Sequence, residues 1–444
     1  MINYQKSYNK HIKDNQLMAL ESIKKSEEKI DVENLMIINE KIPVFHRPGL
    51  IDKSYLDIIH NDINQISNII REIPERIFGN NLDEMCEFLN LSSNHKKLIK
   101  SSFLDDRVLM TRCDIFFESE FSYKFLEMNI DSSVGGLDIF KVNELIEETE
   151  IFQVWNRDSE WSYINPLDKY VSKVHQMIKD EGGTKGTTLA IVDWHEYING
   201  YMWTLGLFKE SFEREGYNVI ICNQREFTTE NDKLYHDNIR IDVVFRVFPS
   251  DDAFKYPEEL TSIYEAYSKG NLILISGVHT ELYANKAIFA LLSDPTYKEH
   301  FSKNEIDVID RCIPWTRILK KEKDLLKYVI CSKDQIVIKP SLGYGGIDIH
   351  LGWNYESQQW IDLIETLLLS DELYILQEKV TPMIEKMPEI KNEKITFNEV
   401  INNWGIYSFD NELAGGVIRG LAVEKHGIIN ASQGASITSI FFKE

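Results

Sequence analysis

The sequence has few of the features that mark a membrane or nucleic-acid-binding protein. Among its 444 residues, the longest apolar runs, NLILISGV from Asn271 and TLLLS from Thr366, are much shorter than the roughly 20 residues that a membrane-spanning helix needs. Acidic residues outnumber basic residues by 71 to 49, and the resulting formal net charge of −22 disfavours polyanionic partners such as nucleic acids and anionic membranes. We therefore expect no nucleic acid and no membrane as partners.

Cysteine is also scarce. The five cysteines are scattered, without the paired spacing of a metal site. Such cysteines are typical of reduced thiols in a cytoplasmic protein. Polar and charged residues follow Met1, so we expect no secretory leader. Cys113 lies between two polar candidates on a predicted strand, and alternation assigns its side chain to the opposite, core-facing side.

The chain is long enough for two or three packed domains, and its hydrophobic content of 43% argues against disorder. Residues 1–105 are rich in Lys, Glu, Ile and Leu and predict a helical N-terminal segment. Residues 186–285 alternate between strands and helices, which predicts an α/β layer with a mostly parallel sheet. No G-x-G-x-x-G fingerprint follows its first strand, so we predict no dinucleotide site.

Some polar residues around this layer leave alternatives open. Asp193, His195 and Glu196 follow its first strand and either contact a substrate or cap a helix. Lys286 precedes the apolar helix IFALLSD, and we interpret it as the solvated edge of that helix.

A lysine next to a glycine-rich turn stands in the segment IVIKPSLGYGGIDIHLG, residues 336–352. The first three residues predict a strand that ends at Lys339 and Pro340, and the glycines that follow can bring backbone N–H groups close to an anion. Alternating apolar residues from Ile347 to Leu351 predict a returning strand. The pattern favours phosphate binding, and its alternative is a plain hairpin whose lysine reaches solvent.

A second short strand, YILQEKV at residues 374–380, ends in polar groups before a proline. Its backbone could meet a purine edge, with Glu378 at the ribose hydroxyls. An edge strand followed by a turn explains the same pattern.

Two further polar clusters lie upstream, in Arg112-Cys113-Asp114 and in FLEMNIDSSVGG, residues 125–136. Residues two apart share one face of a strand, so two adjacent strands could bring together two carboxylates, an amide oxygen and a guanidinium. Such oxygen ligands suit Mg²⁺, and an arginine suits a transferring phosphoryl group. A surface ion pair on two antiparallel strands is the alternative, although the apolar neighbours of these residues argue against it.

The order of these motifs resembles that of the circularly permuted ATP-grasp ligases related to glutathionylspermidine synthase. Ordinary ATP-grasp enzymes carry Glu-x-Asn after the nucleotide loop, whereas this chain carries it before the loop. The resemblance extends from Arg107 to the C-terminus. It implies a circularly permuted ATP-grasp fold of the α/β (α+β) class, with a metal-binding part at 106–185, a pre-ATP-grasp-like α/β domain at 186–285 and a nucleotide-binding region at 286–444.

The resemblance also implies a role for each matching residue. Mg²⁺ would be held by Asp114, Glu127 and Asn129. ATP would be held by the lysine, the glycine loop and the second strand, that is by Lys339, Gly343, Tyr344, Gly345, Gly346, Gln377, Glu378 and Val380. The catalytic residues would be Arg112 and the late Arg419, whose alternative is an arginine on an exposed sheet face.

The implied function is an ATP-dependent carboxylate–amine ligase that forms an acyl phosphate and releases ADP and phosphate. The alternatives are a nucleotide-binding protein without ligation, a phosphotransferase or ATP hydrolase, and a ligase that acylates a thiol or carrier protein. The glycine loop lacks the arginine found there in glutathionylspermidine synthases, and we find no amidase domain. The small-molecule acid and amine therefore stay open among amino acids, peptides and polyamines, and a homodimer is the default oligomeric state.

Overall fold

The computed structural model describes residues 2–32, 36–37, 40–41, 43–103, 109–130, 135–343 and 345–444, with side chains except those of 30–41 and 432. Of the predicted site residues, Tyr344 lies outside the described residues. Arg107, at which the resemblance begins, and residues 131–134 of the second upstream motif also lie outside them.

Sixteen α-helices occur in this described part, and many carry one apolar stripe, as helices packed on sheets do. In the longest, of 24 residues, buried isoleucines recur at helical spacing from Ile59 to Ile73. No helix among the described residues is long and apolar enough to cross a membrane. The helices are α1 Ile2–Asp14, α2 Gln16–Val32, α3 Lys53–Arg76, α4 Leu82–Phe88, α5 Ser93–Ser102, α6 Phe140–Glu147, α7 Glu150–Asn156, α8 Pro166–Asp180, α9 Ile198–Arg214, α10 Ser250–Lys255, α11 Thr261–Ser268, α12 Glu281–Ala284, α13 Ala287–Ser293, α14 Lys303–Cys312, α15 Lys323–Cys331 and α16 Ser357–Leu367.

The strands of the described residues form five sheets. They are β1 Met36–Ile37, β2 Glu40–Lys41, β3 Gly49–Asp52, β4 Met110–Ser119, β5 Ser122–Ile130, β6 Thr188–Asp193, β7 Asn218–Asn223, β8 Thr228–Glu230, β9 Lys233–His236, β10 Ile239–Ile241, β11 Val243–Arg246, β12 Ile273–Ile275, β13 Thr316–Ile318, β14 Ile336–Pro340, β15 His350–Leu351, β16 Tyr374–Glu378, β17 Ile384–Lys391, β18 Lys394–Phe409, β19 Glu412–Ala422 and β20 Ser436–Lys443.

A seven-stranded sheet forms the centre of the fold, in the order β3-β20-β19-β18-β4-β5, with β17 paired to β18. The two upstream motifs lie on adjacent strands, as predicted, and β4 pairs with β5 in antiparallel register. The long β18 separates β4 from β19, so the upstream motifs and the C-terminal strands share one sheet. Helix α3 packs on this sheet, and its isoleucines join one core cluster with Trp404 and Ile440.

Two four-stranded sheets are formed by the part of the chain between β5 and β17, that is between the early and the late strands of the central sheet. The parallel sheet β12-β11-β6-β7 confirms the α/β layer predicted within residues 186–285. An antiparallel sheet, β13-β16-β14-β15, contains both predicted nucleotide-binding strands. The returning strand predicted from Ile347 to Leu351 is shorter than expected, because the chain remains in a turn up to Asp348, which has a φ of 56°, and only His350–Leu351 pairs with β14.

The N-terminal segment contains α1 to α5, as predicted, but it also supplies β3. This strand pairs in parallel with β20 from the other end of the chain. The segment is therefore joined to the central sheet, and the four predicted segment boundaries stay a prediction.

Candidate active site

One cavity of about 740 Å³ lies between the central sheet and the antiparallel sheet that contains β14 and β16. Its size is in the usual range for small-molecule sites. Every predicted site residue that the structure describes lines it, namely Arg112, Asp114, Glu127, Asn129, Lys339, Gly343, Gly345, Gly346, Gln377, Glu378, Val380 and Arg419. The structure therefore brings the candidates from both halves of the chain to one place.

Asp114 forms the centre of an ion-pair cluster at the base of this cavity. Its Oδ1 accepts a hydrogen bond from Arg112 Nε at 2.9 Å, and its Oδ2 accepts one from Arg419 at 2.5 Å. The carboxyl is 1% exposed. Burial alone would raise the pKa of Asp114, but the two guanidinium groups outweigh it and hold that pKa below its usual range.

The oxygen donors around this cluster fit a divalent cation. Register places Asp114 opposite Glu127 and Arg112 opposite Asn129. Asn129 Nδ2 lies 3.4 Å from Asp114 Oδ2, so its amide oxygen is directed elsewhere. Each oxygen of Asp114 already accepts a hydrogen bond from an arginine, whereas Glu127 and Asn129 offer a carboxylate and an amide oxygen to the cavity.

Two buried polar atoms in the cavity wall lack a partner among the described residues. They are Arg419 Nε and Asn403 Oδ1. The two residues face each other across β18 and β19. A buried polar atom without a hydrogen bond is costly, so this part of the wall is suited to a polar ligand. Sequence reasoning missed Asn403, since nothing in the local pattern of β18 separates it from the neighbouring Asn402.

Two lysines lie on the opposite wall. Lys339, at the end of β14, is 7% exposed, and burial lowers its pKa to about 8 although Glu127 opposes the shift. Lys286 Nζ lies 2.6 Å from the carbonyl oxygen of Gly343 and 3.7 Å from Glu127 Oε2. Our interpretation of Lys286 as a solvated helix edge is therefore wrong, because its side chain reaches the glycine loop, a contact that no local sequence pattern indicates.

The glycine loop has the backbone that its composition predicts. Gly343, Gly345 and Gly346 have φ angles of 105°, 74° and 73°, which favour glycine. The side chain of Gln433 donates to the carbonyl oxygens of Gly345 and Gly346 at 2.9 and 3.2 Å. The C-terminal tail therefore holds the loop over the cavity.

The second nucleotide strand presents both buried and exposed groups. Gln377 is 2% exposed, and its Nε2 lies 3.3 Å from Thr316 Oγ1. Glu378 is exposed at the end of β16, and Lys379 Nζ lies 4.1 Å from the centre of the Trp353 ring. Together with the buried Val380, these groups form the rim of the cavity.

Other candidates lie away from the cavity. Asp193 accepts a hydrogen bond from the backbone N–H of Trp194 at 2.8 Å, and burial raises its pKa to about 6. His195 contacts Gln224, and neither Asp193 nor His195 lines the cavity. All five cysteines have free thiols, and Cys113 is fully buried, as predicted.

No protein-family model and no curated protein matches the sequence. A glutathione synthetase-like effector from Globodera pallida, solved in its apo form, is similar in structure, with a TM-score of 0.62 over 95% of this chain and 96% of that one. The chain has the predicted ATP-grasp fold. The sequence identity to that effector is 12%, so the likeness shows the fold and nothing more. A putative gamma-glutamylcysteine synthetase from Methylobacillus flagellatus gives a TM-score of 0.47 at 11% identity, over 84% of this chain and 87% of that one.

The Asp114 ion pairs give the first prediction. Asp114→Asn leaves two buried guanidinium groups without their counter-charge, so we expect a loss of about 3–5 kcal/mol in the free energy of unfolding at neutral pH. A carboxyl with a depressed folded pKa stabilises the fold above its unfolded pKa of about 3.9 and loses this effect as the pH falls through the folded value. Urea unfolding should therefore show a difference from wild type that shrinks below about pH 4.

Asp310→Asn is the matched control, because Asp310 pairs with Lys298 at 2.9 Å on the surface. Its removal should change stability by less than about 1 kcal/mol. Equal effects of the two substitutions would contradict the buried cluster.

Proposed function

We propose that this protein is an ATP-dependent ligase that joins a carboxylate to an amine through an acyl phosphate. The observation that carries the proposal is the convergence, in one cavity, of the Asp114 cluster with the two lysines and the glycine loop. A protein that only binds a nucleotide has no need of the buried arginines Arg112 and Arg419 in addition to the two lysines. A reaction in which charge develops on a transferring phosphoryl group is favoured by such a pair.

The nucleotide is proposed to lie between β14 and β16, with its base and ribose at the rim formed by Gln377, Glu378 and Val380. Its phosphates extend under the glycine loop toward Lys339 and Lys286. The lowered pKa of Lys339 supports this placement, because burial disfavours the ammonium more than Glu127 stabilises it, and a phosphate oxygen supplies a further anion.

Glu127 and Asn129, with Asp114, would hold Mg²⁺ in this arrangement. When bound, the ion neutralises phosphate charge. An incoming phosphoryl group competes with Asp114 for Arg112 and Arg419, because both buried arginines donate hydrogen bonds to anions. Asp114 would then be free to serve as a third oxygen ligand.

The arginines would also stabilise the transfer of the phosphoryl group from ATP to the carboxylate substrate. The carboxylate substrate attacks the terminal phosphorus of ATP, the bond from that phosphorus to ADP breaks, and Arg112 and Arg419 bind the oxygens that carry the developing charge. The amine then attacks the acyl carbon, the carbon–nitrogen bond forms and phosphate leaves. The family membership implied by the motif order, close to glutathionylspermidine synthases, is part of this proposal.

Binding of a non-hydrolysable ATP analogue tests the site assignment. By isothermal titration we expect binding that depends on Mg²⁺ and that weakens about 10- to 100-fold in Glu127→Gln and in Lys339→Met, because each loses a contact to a charged group. Glu118→Gln, an exposed glutamate on β4, is the matched control and should bind like wild type. Affinity that is independent of Mg²⁺ and equal in all variants would refute the assignment.

A labelled carboxylate tests the reaction. We expect that acids labelled with ¹⁸O in the carboxyl group, incubated with ATP, Mg²⁺ and panels of amines, transfer one labelled oxygen to the released phosphate, since the acyl phosphate breaks at its carbon–oxygen bond. Mass spectrometry should show the amide and the labelled phosphate in equal amounts. A stable phosphorylated product would indicate a phosphotransferase, ADP without an amide a hydrolase, and a thioester a ligase for a thiol.

Proton uptake tests the role of Lys339. With a pKa of about 8, much of this amine is neutral at higher pH, and a phosphate oxygen favours its charged form. We expect binding of the analogue to take up a proton at about pH 9 and little or none at about pH 7, and affinity to fall as the pH rises through 8. Titrations in two buffers of different ionisation enthalpy measure the uptake. Lys339→Arg, which stays charged, should show none, and equal uptake in both proteins would assign the proton to another group.

A further inference from the structure

Asp138 is a buried carboxylate in the cavity wall to which the reaction described above gives no role. It lies in the short 3₁₀ helix Leu137–Ile139 that leads into α6. It is 8% exposed and lines the same cavity as the arginines and lysines. No lysine, arginine or histidine of the described residues forms an ion pair with it, and its own backbone N–H is the one group that lowers its pKa.

This arrangement is unusual for a structural carboxylate. Burial raises the pKa of Asp138 to about 6, and the arginines of the cavity do not offset that shift. The start of α6 favours a negative charge and explains in part why the carboxylate is tolerated. It does not explain why the side chain lines a cavity, where a carboxylate without a partner is costly.

The other charged groups of the cavity already have partners of opposite charge. Arg112 and Arg419 pair with Asp114, and Lys286 lies 3.7 Å from Glu127. Asp138 has no such cationic partner among the described residues. Apolar side chains also line the cavity, among them Ile139, Val142, Val417 and Ile437.

One turn connects Asp138 to the arginine cluster. Arg112 and the hydroxyl of Tyr407 both donate to the carbonyl oxygen of Gly135, at 2.9 and 2.8 Å. The next residue, Gly136, has a φ of 88°, and a Cβ there would lie 2.9 Å from the Tyr407 hydroxyl. Asp138 follows two residues later, so the arginine that faces the phosphoryl group also holds the turn that presents Asp138.

We propose that Asp138 binds an ammonium group of a substrate whose alkyl part packs on the apolar side chains of the cavity. This inference rests on the proposed ligase function and narrows its substrates to organic ammonium compounds with an apolar stem. Two substrates could carry that group. The ammonium group belongs either to the amine acceptor or, as an α-ammonium, to an amino acid that supplies the carboxylate.

A binding experiment tests the site without a known substrate. Wild type and Asp138→Asn, which preserves the shape of the side chain, are titrated with n-butylammonium and with n-butanol, with and without the ATP analogue and Mg²⁺. We expect wild type to prefer the ammonium compound, and the substitution to weaken ammonium binding about 10- to 100-fold while leaving butanol unchanged. Asp193→Asn is the matched control, because Asp193 is also buried with a pKa raised to about 6 but lies outside the cavity.

Release of ADP then separates the two sources of the ammonium group. The donors compared are leucine and 4-methylpentanoate, which differ by the α-ammonium, each with n-butylamine as acceptor. If the ammonium belongs to the acid, Asp138→Asn raises the KM for leucine and not for 4-methylpentanoate. If it belongs to the acceptor, the substitution raises the KM for the amine with either acid.

The two proposals fail in different ways. Equal binding of n-butylammonium to wild type and Asp138→Asn, or no binding to either, overturns the role of Asp138 even where the ATP analogue binds. Absence of ATP-analogue binding overturns the ligase, and the titration without nucleotide still decides whether Asp138 binds an ammonium group. A thermal unfolding curve for Asp138→Asn that matches wild type shows that the substitution does not act through misfolding.

Discussion

The ion pairs of Asp114 with Arg112 and Arg419 are the constraint on which the site depends. They link β4 to β19 across the intervening strand β18, where Gly405 stands opposite Asp114. A Cβ at Gly405 would lie 2.8 Å from Arg112 Cδ, so the absence of a side chain there lets the cluster form. Buried ion pairs often contribute little net stability, because desolvation offsets their attraction. The main effect of the cluster is therefore to hold the guanidinium groups of Arg112 and Arg419 in fixed positions next to the cavity.

The parts of the site that the sequence predicted are those with a local signature. Alternation along a strand is enough to place Arg112 with Asp114 and Glu127 with Asn129, because the side-chain period of a strand is two residues. The paired strands, the glycine loop and the parallel layer are all present. Alternation failed after Gly346, because the turn continues to Asp348, which has a positive φ, and only a short strand follows.

The residues that sequence reasoning missed share a different property. Lys286, Asn403 and Asp138 lie in ordinary helical or strand patterns, and each enters the cavity through contacts distant in sequence. Lys286 reaches the loop at Gly343, and Asn403 meets Arg419 only because β18 pairs with β19. Such positions follow from the order of strands in the sheet and from the shape of the cavity. Neither is encoded by spacing in one sequence, and the same limit applies to the identity of the substrates.

The pairing of β3 with β20 has a consequence for how the protein is made. Ribosomes deliver β3 long before β19 and β20, yet both later strands lie inside the central sheet, between β3 and β18. Until they emerge, Asp114 has Arg112 alone as partner, and β3 and β18 expose unpaired edges. Contacts this distant along the chain also slow folding. The nascent chain therefore passes through an unfinished sheet that is open to wrong pairing, and the cavity takes shape only after β19 and β20 have emerged.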